Sequence, residues 1–192
     1  MPVQRSGISA DAHKYPVNSI NVVGTQIANN IVSFSNDGMM CMWDVKQFSK
    51  PTRMNKLSAT RAVKTQPKIP ISSASSLLAS KSMKVDVSTS SILDKTTKEE
   101  AHDINITCCE FPYADANNYY LGSLNGVLYK NALHNKATDK IALYDEHNGP
   151  VSGVSVNRPS EFDSLNGLVL TSSFDWTIKL WSPGHKDSVR TF

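Results

Sequence analysis

The sequence predicts an all-β protein assembled from copies of one strand–turn–strand unit. The segments SFSNDGMMCMWD (Ser33 to Asp44), GSLNGVLYKN (Gly122 to Asn131) and TSSFDWTIKLWS (Thr171 to Ser182) share one plan. Each is a strand of small residues, then Asp or Asn at a turn, then a second strand, and such self-similarity marks a repeat architecture. Trp43 follows Asp37 by six residues, and Trp181 follows Asp175 by six. Each copy is also preceded by an apolar run that reads as a further strand.

Taken along the chain, the elements are these. Pro2 to Ala10 reads as the outer strand of a preceding unit. Pro16 to Val23 is the first inner strand, with His13 three residues before its proline. Asn36-Asp37-Gly38 supplies residues that accept positive φ cheaply, as a tight hairpin requires. The second unit starts at Ile104 to Phe111, turns at Asn125-Gly126, and places Asn131 where the others have tryptophan. The third starts at Pro150 to Val156, again with a histidine, His147, three residues before the proline. Asp187 to Phe192 reads as its closing outer strand.

Charge is unevenly spread along the 192 residues, whose formal net charge is +3. Between Lys50 and Lys98 stand ten Lys/Arg against Asp86 and Asp94, so this stretch carries +8 and the remainder −5. The same stretch holds sixteen Ser/Thr and no Phe, Trp or Tyr. Such a composition buries too little apolar surface to offset the entropy of ordering its backbone. A long disordered basic loop is therefore expected from 50 to 98. The 88 residues between Asp37 and Asn125 have room for a hidden unit. The lack of strand patterning and aromatic filling in Lys50–Lys98 argues against one, so three units are expected. The longest uncharged run, Tyr15 to Asn36, contains five asparagines, which argues against a membrane span. Three cysteines (Cys41 and the adjacent Cys108 and Cys109) suit free thiols in a reducing compartment better than a disulfide framework. A soluble, intracellular protein is the expectation.

A histidine before the inner strand, an acid at the tight turn and Trp closing the third strand resemble the WD-repeat β-propeller blade. The resemblance implies a hydrogen-bonded tetrad of His, Ser/Thr, Asp and Trp in each regular blade. The matching residues are His13, Ser33 or Ser35, Asp37 and Trp43 in the first blade. In the last they are His147, Thr171 or Ser173, Asp175 and Trp181. The two hydroxyl candidates of each pair lie two residues apart, on one face of a strand, and the sequence leaves both open. The middle blade lacks the histidine and the tryptophan, so no tetrad is expected there. The expected organisation is an outer strand plus first blade (1–49), the insertion (50–98), a degenerate second blade (99–146) and a third blade (147–192). Three blades make an incomplete ring, since closure takes four to eight, and the other blades are expected on the rest of the gene product.

The five histidines and three cysteines form no catalytic or metal-binding pattern in the sequence. No His-x-x-x-His or Cys-x-x-Cys spacing occurs, so no metal is expected, and no cofactor. Nucleophile elbows and phosphate loops are also missing from the sequence. His13 and His147 have places in the repeat that explain them without catalysis. The basic loop has no aromatics between its charges, which argues against single-strand nucleic-acid recognition. Asn105-Ile106-Thr107 matches a glycosylation sequon but falls on an expected inner strand.

The wording of the repeat is more specific than the propeller pattern. VVGTQ-x-A-x-N, S-x-DG-x-MC-x-W, TSSFDWT-x-KLW and the middle stretch EFPYADANNYYLGSLNGVLY resemble the cytoplasmic dynein intermediate chains. The resemblance covers nearly everything outside Lys50–Lys98. It implies a non-catalytic subunit of a microtubule motor, cytoplasmic and cytoskeletal, whose propeller packs on the tail of the dynein heavy chain. The family's N-terminal region, which recruits light chains and the activating partner complex, has no counterpart in the matched stretch, so the resemblance does not extend to light-chain binding. A WD-repeat adaptor of an unrelated complex and an enzyme on a propeller scaffold are the alternatives. Copurification with a motor heavy chain separates the first from the motor reading, and a polar cluster at a central channel is what the second requires.

Overall fold

The computed structural model describes residues 11–24, 29–62, 99–113, 115–135, 141–158 and 167–192. The expected outer strand at Pro2 to Ala10 and the loop from 63 to 98 lie outside them. The chain divides into two units, Met1–Ala59 with Ala101–Phe192, and Thr60–Glu100.

Three four-stranded antiparallel sheets make up the first unit. The first contains β1 (Val17–Gly24), β2 (Asn29–Ser35), β3 (Met39–Asp44) and β4 (Arg53–Lys56), in that order. Strands β5 (Ser58–Ala62) and β6 (Glu99–Asp103) pair with each other as a separate two-stranded sheet. The second four-stranded sheet contains β7 (Ile106–Glu110), β8 (Asn118–Ser123), β9 (Val127–Ala132) and β10 (Ala142–Asp145). The third contains β11 (Val151–Val156), β12 (Val169–Ser173), β13 (Ile178–Trp181) and β14 (Arg190–Thr191). Neighbours in sequence are neighbours in each sheet, the up-and-down order of a propeller blade.

The expected disordered segment has to be shortened. It was placed from Lys50, yet Arg53–Lys56 is the outer strand of the first blade, and Ser58–Ala62 is also a strand. An outer strand needs one hydrogen-bonding partner and tolerates charge, so Arg53 and Lys56 do not oppose it. The basic composition averaged over 50–98 concealed Leu57 and Ala59, both of which are buried. The start of the second blade shifts as well: Glu99–Asp103 pairs with β5, and the blade begins at Ile106.

All three inner strands carry the same irregularity. Val17 faces Ser35 and Ser19 faces Phe34, so Asn18 is extra; Thr107 and Ser152 are extra at the same place in β7 and β11. Such bulges turn one side chain out of the pleat, and here it is the same side chain each time. The hairpins also agree. Gly38, Gly126 and Trp176 donate their N–H to the carbonyls of Ser35, Ser123 and Ser173 at 3.1, 3.3 and 3.3 Å. Each then takes positive φ, at 81°, 81° and 68°, the three-residue turn closed by a left-handed residue.

Two apolar layers lie between the sheets. Val32, Phe34, Met40, Ile106, Tyr119, Leu121 and Val127 belong to one buried cluster shared by the first and second blades. The Phe34 ring stands 5.3 Å from Tyr119 and 6.4 Å from Phe111, centroid to centroid. Tyr120, Leu128, Tyr144, Val156, Val169 and Trp181 form the second cluster, shared by blades two and three. Each fully buried aliphatic side chain contributes about 1.5–3 kcal/mol relative to exposure.

Candidate functional site

The third blade brings His147, Thr171, Asp175 and Trp181 together. Trp181 Nε1 donates to Thr171 Oγ1 at 2.8 Å, and His147 Nε2 meets the same hydroxyl at 2.8 Å. His147 Nδ1 lies 2.9 Å from Asp175 Oδ2. The charges and lone pairs dictate the direction of every proton. An ionised carboxylate only accepts, so Nδ1 carries a hydrogen, and Nε2 then accepts from the threonine hydroxyl while Thr171 Oγ1 accepts from the indole. Every donor in the chain from Trp181 to Asp175 is used. Asn148 N–H adds a bond to Asp175 Oδ2 at 3.0 Å, and Thr177 donates its hydroxyl to Oδ1 at 2.7 Å.

Burial opposes the charge on Asp175, yet the bonds from Thr177, His147 and Asn148 hold its carboxyl well below the usual carboxylate range. A group with a depressed folded pKa adds stability that is present above its unfolded pKa of about 3.9 and is lost as pH falls through the folded value. Asp175→Asn is therefore expected to melt at a lower temperature than the parent at pH 7. The gap should narrow below about pH 4, where the parent loses its advantage. Thermal melts from pH 7 to pH 2 measure this. A gap that stays constant across the range contradicts the role given to the carboxylate.

The first blade assembles only part of the same arrangement. Trp43 Nε1 donates to Ser33 Oγ at 2.8 Å and His13 Nε2 meets that oxygen at 2.7 Å. His13 Nδ1, however, faces Cys41 Sγ at 3.9 Å, while Asp37 accepts from the Ser35 hydroxyl and from Met39 N–H at 3.2 Å. The two blades also differ two residues past the turn. Thr177 bridges Asp175 and His147, within 3.2 Å of Nδ1, and the first blade has Met39 there, which offers no hydroxyl. Burial lowers the His13 pKa, with Asp37 opposing. Burial, reinforced by Asp37, lifts the Cys41 thiol to about 11, which keeps it unreactive.

Of each hydroxyl pair, Ser33 and Thr171 join the tryptophan and histidine. Ser35 instead bonds Asp37, and Ser173 donates to Gly149 carbonyl at 2.9 Å. In the middle blade Leu121 replaces the hydroxyl and Asn131 replaces the indole. Asn131 Nδ2 donates to the Tyr119 hydroxyl at 3.0 Å, so a shorter polar pair stands in the tryptophan's place. Sequence reasoning missed this pair, and the only signal was a buried-type position filled by an amide. It also missed two bonds from bulged residues to the next blade. Asn18 Nδ2 donates to Ile106 carbonyl at 2.7 Å, and Thr107 Oγ1 to Val151 carbonyl at 2.5 Å. Thr107, the sequon threonine, thus serves the junction between blades.

Among the described residues no three His, Cys, Asp or Glu are grouped to hold a metal ion. No described helix is long and apolar enough to cross a membrane.

The comparisons with known proteins agree with this geometry. The WD domain, G-beta repeat family matches residues 138–182, the stretch that holds the complete tetrad. The chain is similar to the solved WD40 β-propeller domain of Doa1, with 14% identity, a TM-score of 0.55, and 94% of this chain matched to 42% of that one. Against the RRP9 WD40 repeats the values are 14%, 0.54, 94% and 39%. Over 181 residues, 94% of its length, it is 30% identical to the cytoplasmic dynein 1 intermediate chain of Drosophila melanogaster. This is a WD-repeat chain, similar over nearly its whole length to a cytoplasmic dynein intermediate chain. It spans about a fifth of the length of that curated relative. The WD repeat explains why the middle blade folds as the others do: its turn, Asn125-Gly126, and its bulge at Thr107 survive where its tetrad does not.

Proposed function

We propose that this WD-repeat chain is part of a dynein intermediate-chain subunit, a non-catalytic scaffold in the cytoplasmic, microtubule-associated motor. On this reading its blades contribute to the surface that packs on the tail of the motor heavy chain. The observation that carries the reading is the 30% identity to the Drosophila intermediate chain over 94% of this chain. The complete network of the third blade and the partial one of the first are structural in this proposal. Their polar atoms are spent on one another, which leaves Asp175 and His147 without a free lone pair or proton to offer a substrate. The partners implied are protein subunits, with no nucleic acid and no membrane insertion.

Affinity purification of the tagged full-length gene product, followed by mass spectrometry, tests the assignment. Recovery of a dynein heavy chain in near-stoichiometric amount is expected. Recovery of a different stable complex without any heavy chain overturns the motor reading in favour of an unrelated WD-repeat adaptor.

A further inference from the structure

The two junctions between blades differ in what fills them. Where blades two and three meet, Trp181 and Tyr144 stand edge-on at 5.6 Å. Tyr144 pairs with Leu128, two residues past the turn glycine, and the first-blade residue paired with Met40 at the same step is Asn55. Trp181 pairs with Val169, and its equivalent in the second blade, paired with Tyr119, is Asn131. The junction of blades one and two therefore has an amide on each side where the other has a ring. Side chains this short do not fill a close-packed layer. A cavity of about 500 Å³ stands there, with Asn55, Asn131 and Tyr119 in its lining, a size that suits a ligand site.

The charge in this cavity is of one sign. Arg53 and Lys56 line it, and among the described residues no acid does. Lys56 is engaged by Asp103 at 2.7 Å, whereas Arg53 has no ion pair among the described residues. In the orientation that satisfies both its atoms, the Asn55 amide donates to Met54 carbonyl at 2.7 Å and accepts from Arg53 Nη2 at 3.2 Å, which holds the guanidinium at the wall. Tyr119 and Asn131 are both buried. Asn131 Nδ2 donates to the Tyr119 hydroxyl at 3.0 Å, and no described residue accepts the hydroxyl's own hydrogen. Burial raises the Tyr119 pKa, so that hydrogen is present at neutral pH, and the Arg53 cation is near enough to oppose the rise. A buried donor without an acceptor is costly, and one anion can serve both the hydroxyl and the guanidinium.

The wall also indicates what carries the anion. All four residues of β4 line the cavity, and β4 is the edge of its sheet, paired with β3 alone. The free side of an edge strand offers backbone donors and acceptors that an extended polypeptide uses and a free anion does not. Met54, Leu57 and Ile141 add apolar wall.

We infer that the cavity between blades one and two binds a partner polypeptide through an aromatic side chain next to an acidic one. The ring takes space that Tyr144 and Trp181 fill at the other junction, and the carboxylate is met by Arg53 and the Tyr119 hydroxyl. Charge-assisted hydrogen bonds of this kind are shorter and stronger than neutral ones. The site is built wholly from blades one and two, so it does not depend on what adjoins their outer neighbours, and it uses no residue of the tetrads.

Selection of a phage-displayed random peptide library on the tagged full-length gene product tests the inference. Selected peptides are then measured by fluorescence anisotropy on the parent, on Asn55→Tyr, which returns a ring to the cavity, and on Arg53→Gln, which removes the cation. Circular dichroism checks that each variant keeps its strands; Asn55→Leu and Arg53→Met replace either one that does not. Peptides with Phe, Tyr or Trp beside Asp or Glu are expected, each binding either variant about tenfold more weakly than the parent. Changing the peptide's acid to its amide should cost a similar factor on the parent and little more on Arg53→Gln, because both changes remove one contact. Peptides without an acid, or peptides that bind both variants as tightly as the parent, overturn the inference. So does phenylacetate that displaces them as effectively as the unlabelled peptide, since a free aromatic acid then suffices. The readout is an affinity for peptide and is independent of whether a motor heavy chain copurifies.

Discussion

Replacing Trp181 by alanine is expected to destabilise the chain by about 3–5 kcal/mol, the range for deleting a large aromatic from a core. The indole is almost fully buried and meets Tyr144 edge-on at 5.6 Å and His147 at 6.2 Å. Its loss removes apolar burial shared by blades two and three, and it also strips Thr171 of a donor inside the core. Trp43→Ala should cost less within that range. Trp43 stacks on Phe48 at 5.1 Å, and its network stops at His13 without reaching Asp37. Alanine at the exposed His134 is the control and should change stability by less than about 0.5 kcal/mol. Urea titrations of the three variants give the comparison. Equal losses at His134 and Trp181 would count against the repeat assignment.

Gly126→Ala is expected to cost about 2–5 kcal/mol, as much as a core deletion, though it adds only a methyl group. Two effects combine. At φ of +81° an L-residue pays about 1–2 kcal/mol for the left-handed region. The new Cβ would also collide with the His147 carbonyl and come within 2.9 Å of the Gly149 carbonyl. Those atoms are backbone of the loop that carries the third blade's histidine, so relief of the clash displaces His147 from Thr171 and Asp175. Overpacking of this kind costs about 1–3 kcal/mol more. Gly184→Ala separates the two effects, because Gly184 also has positive φ, +91°, but nothing within 4 Å of the missing Cβ. Its loss should be limited to the conformational part. Thermal melts of both variants decide the matter, and equal losses would show that the carbonyl contact contributes nothing.

The repeat was legible because it rests on local chemistry. A turn that ends in a left-handed residue needs Gly or its equivalent, and Gly38 and Gly126 announce it. The period-two alternation of the inner strands and the six-residue step from Asp to Trp are fixed by strand geometry. The outer strand Arg53–Lys56 was hidden for the opposite reason. An edge strand bonded on one side is under little compositional constraint, so it reads like the basic segment that follows it. Trp176 holds, with positive φ, the turn position that glycine holds in the two other blades, and the repeat pattern gives no sign of it.

The sequence by itself determined the all-β class, the three copies, their turns and the residues eligible for each network. Tertiary structure alone decided which of them meet. Ser33 and Ser35 share a strand face, as do Thr171 and Ser173, so no pattern separates them. The choice falls to whichever oxygen the lead-in loop brings within about 3 Å of both the imidazole and the indole. The blade whose aspartate joins has a hydroxyl two residues on, Thr177, while the other has a thioether there, Met39, and a turn aspartate bonded by Ser35. A hydrogen bond lost or made over an ångström is set by the packing of chain segments more than twenty residues apart, and strand periodicity carries no record of it.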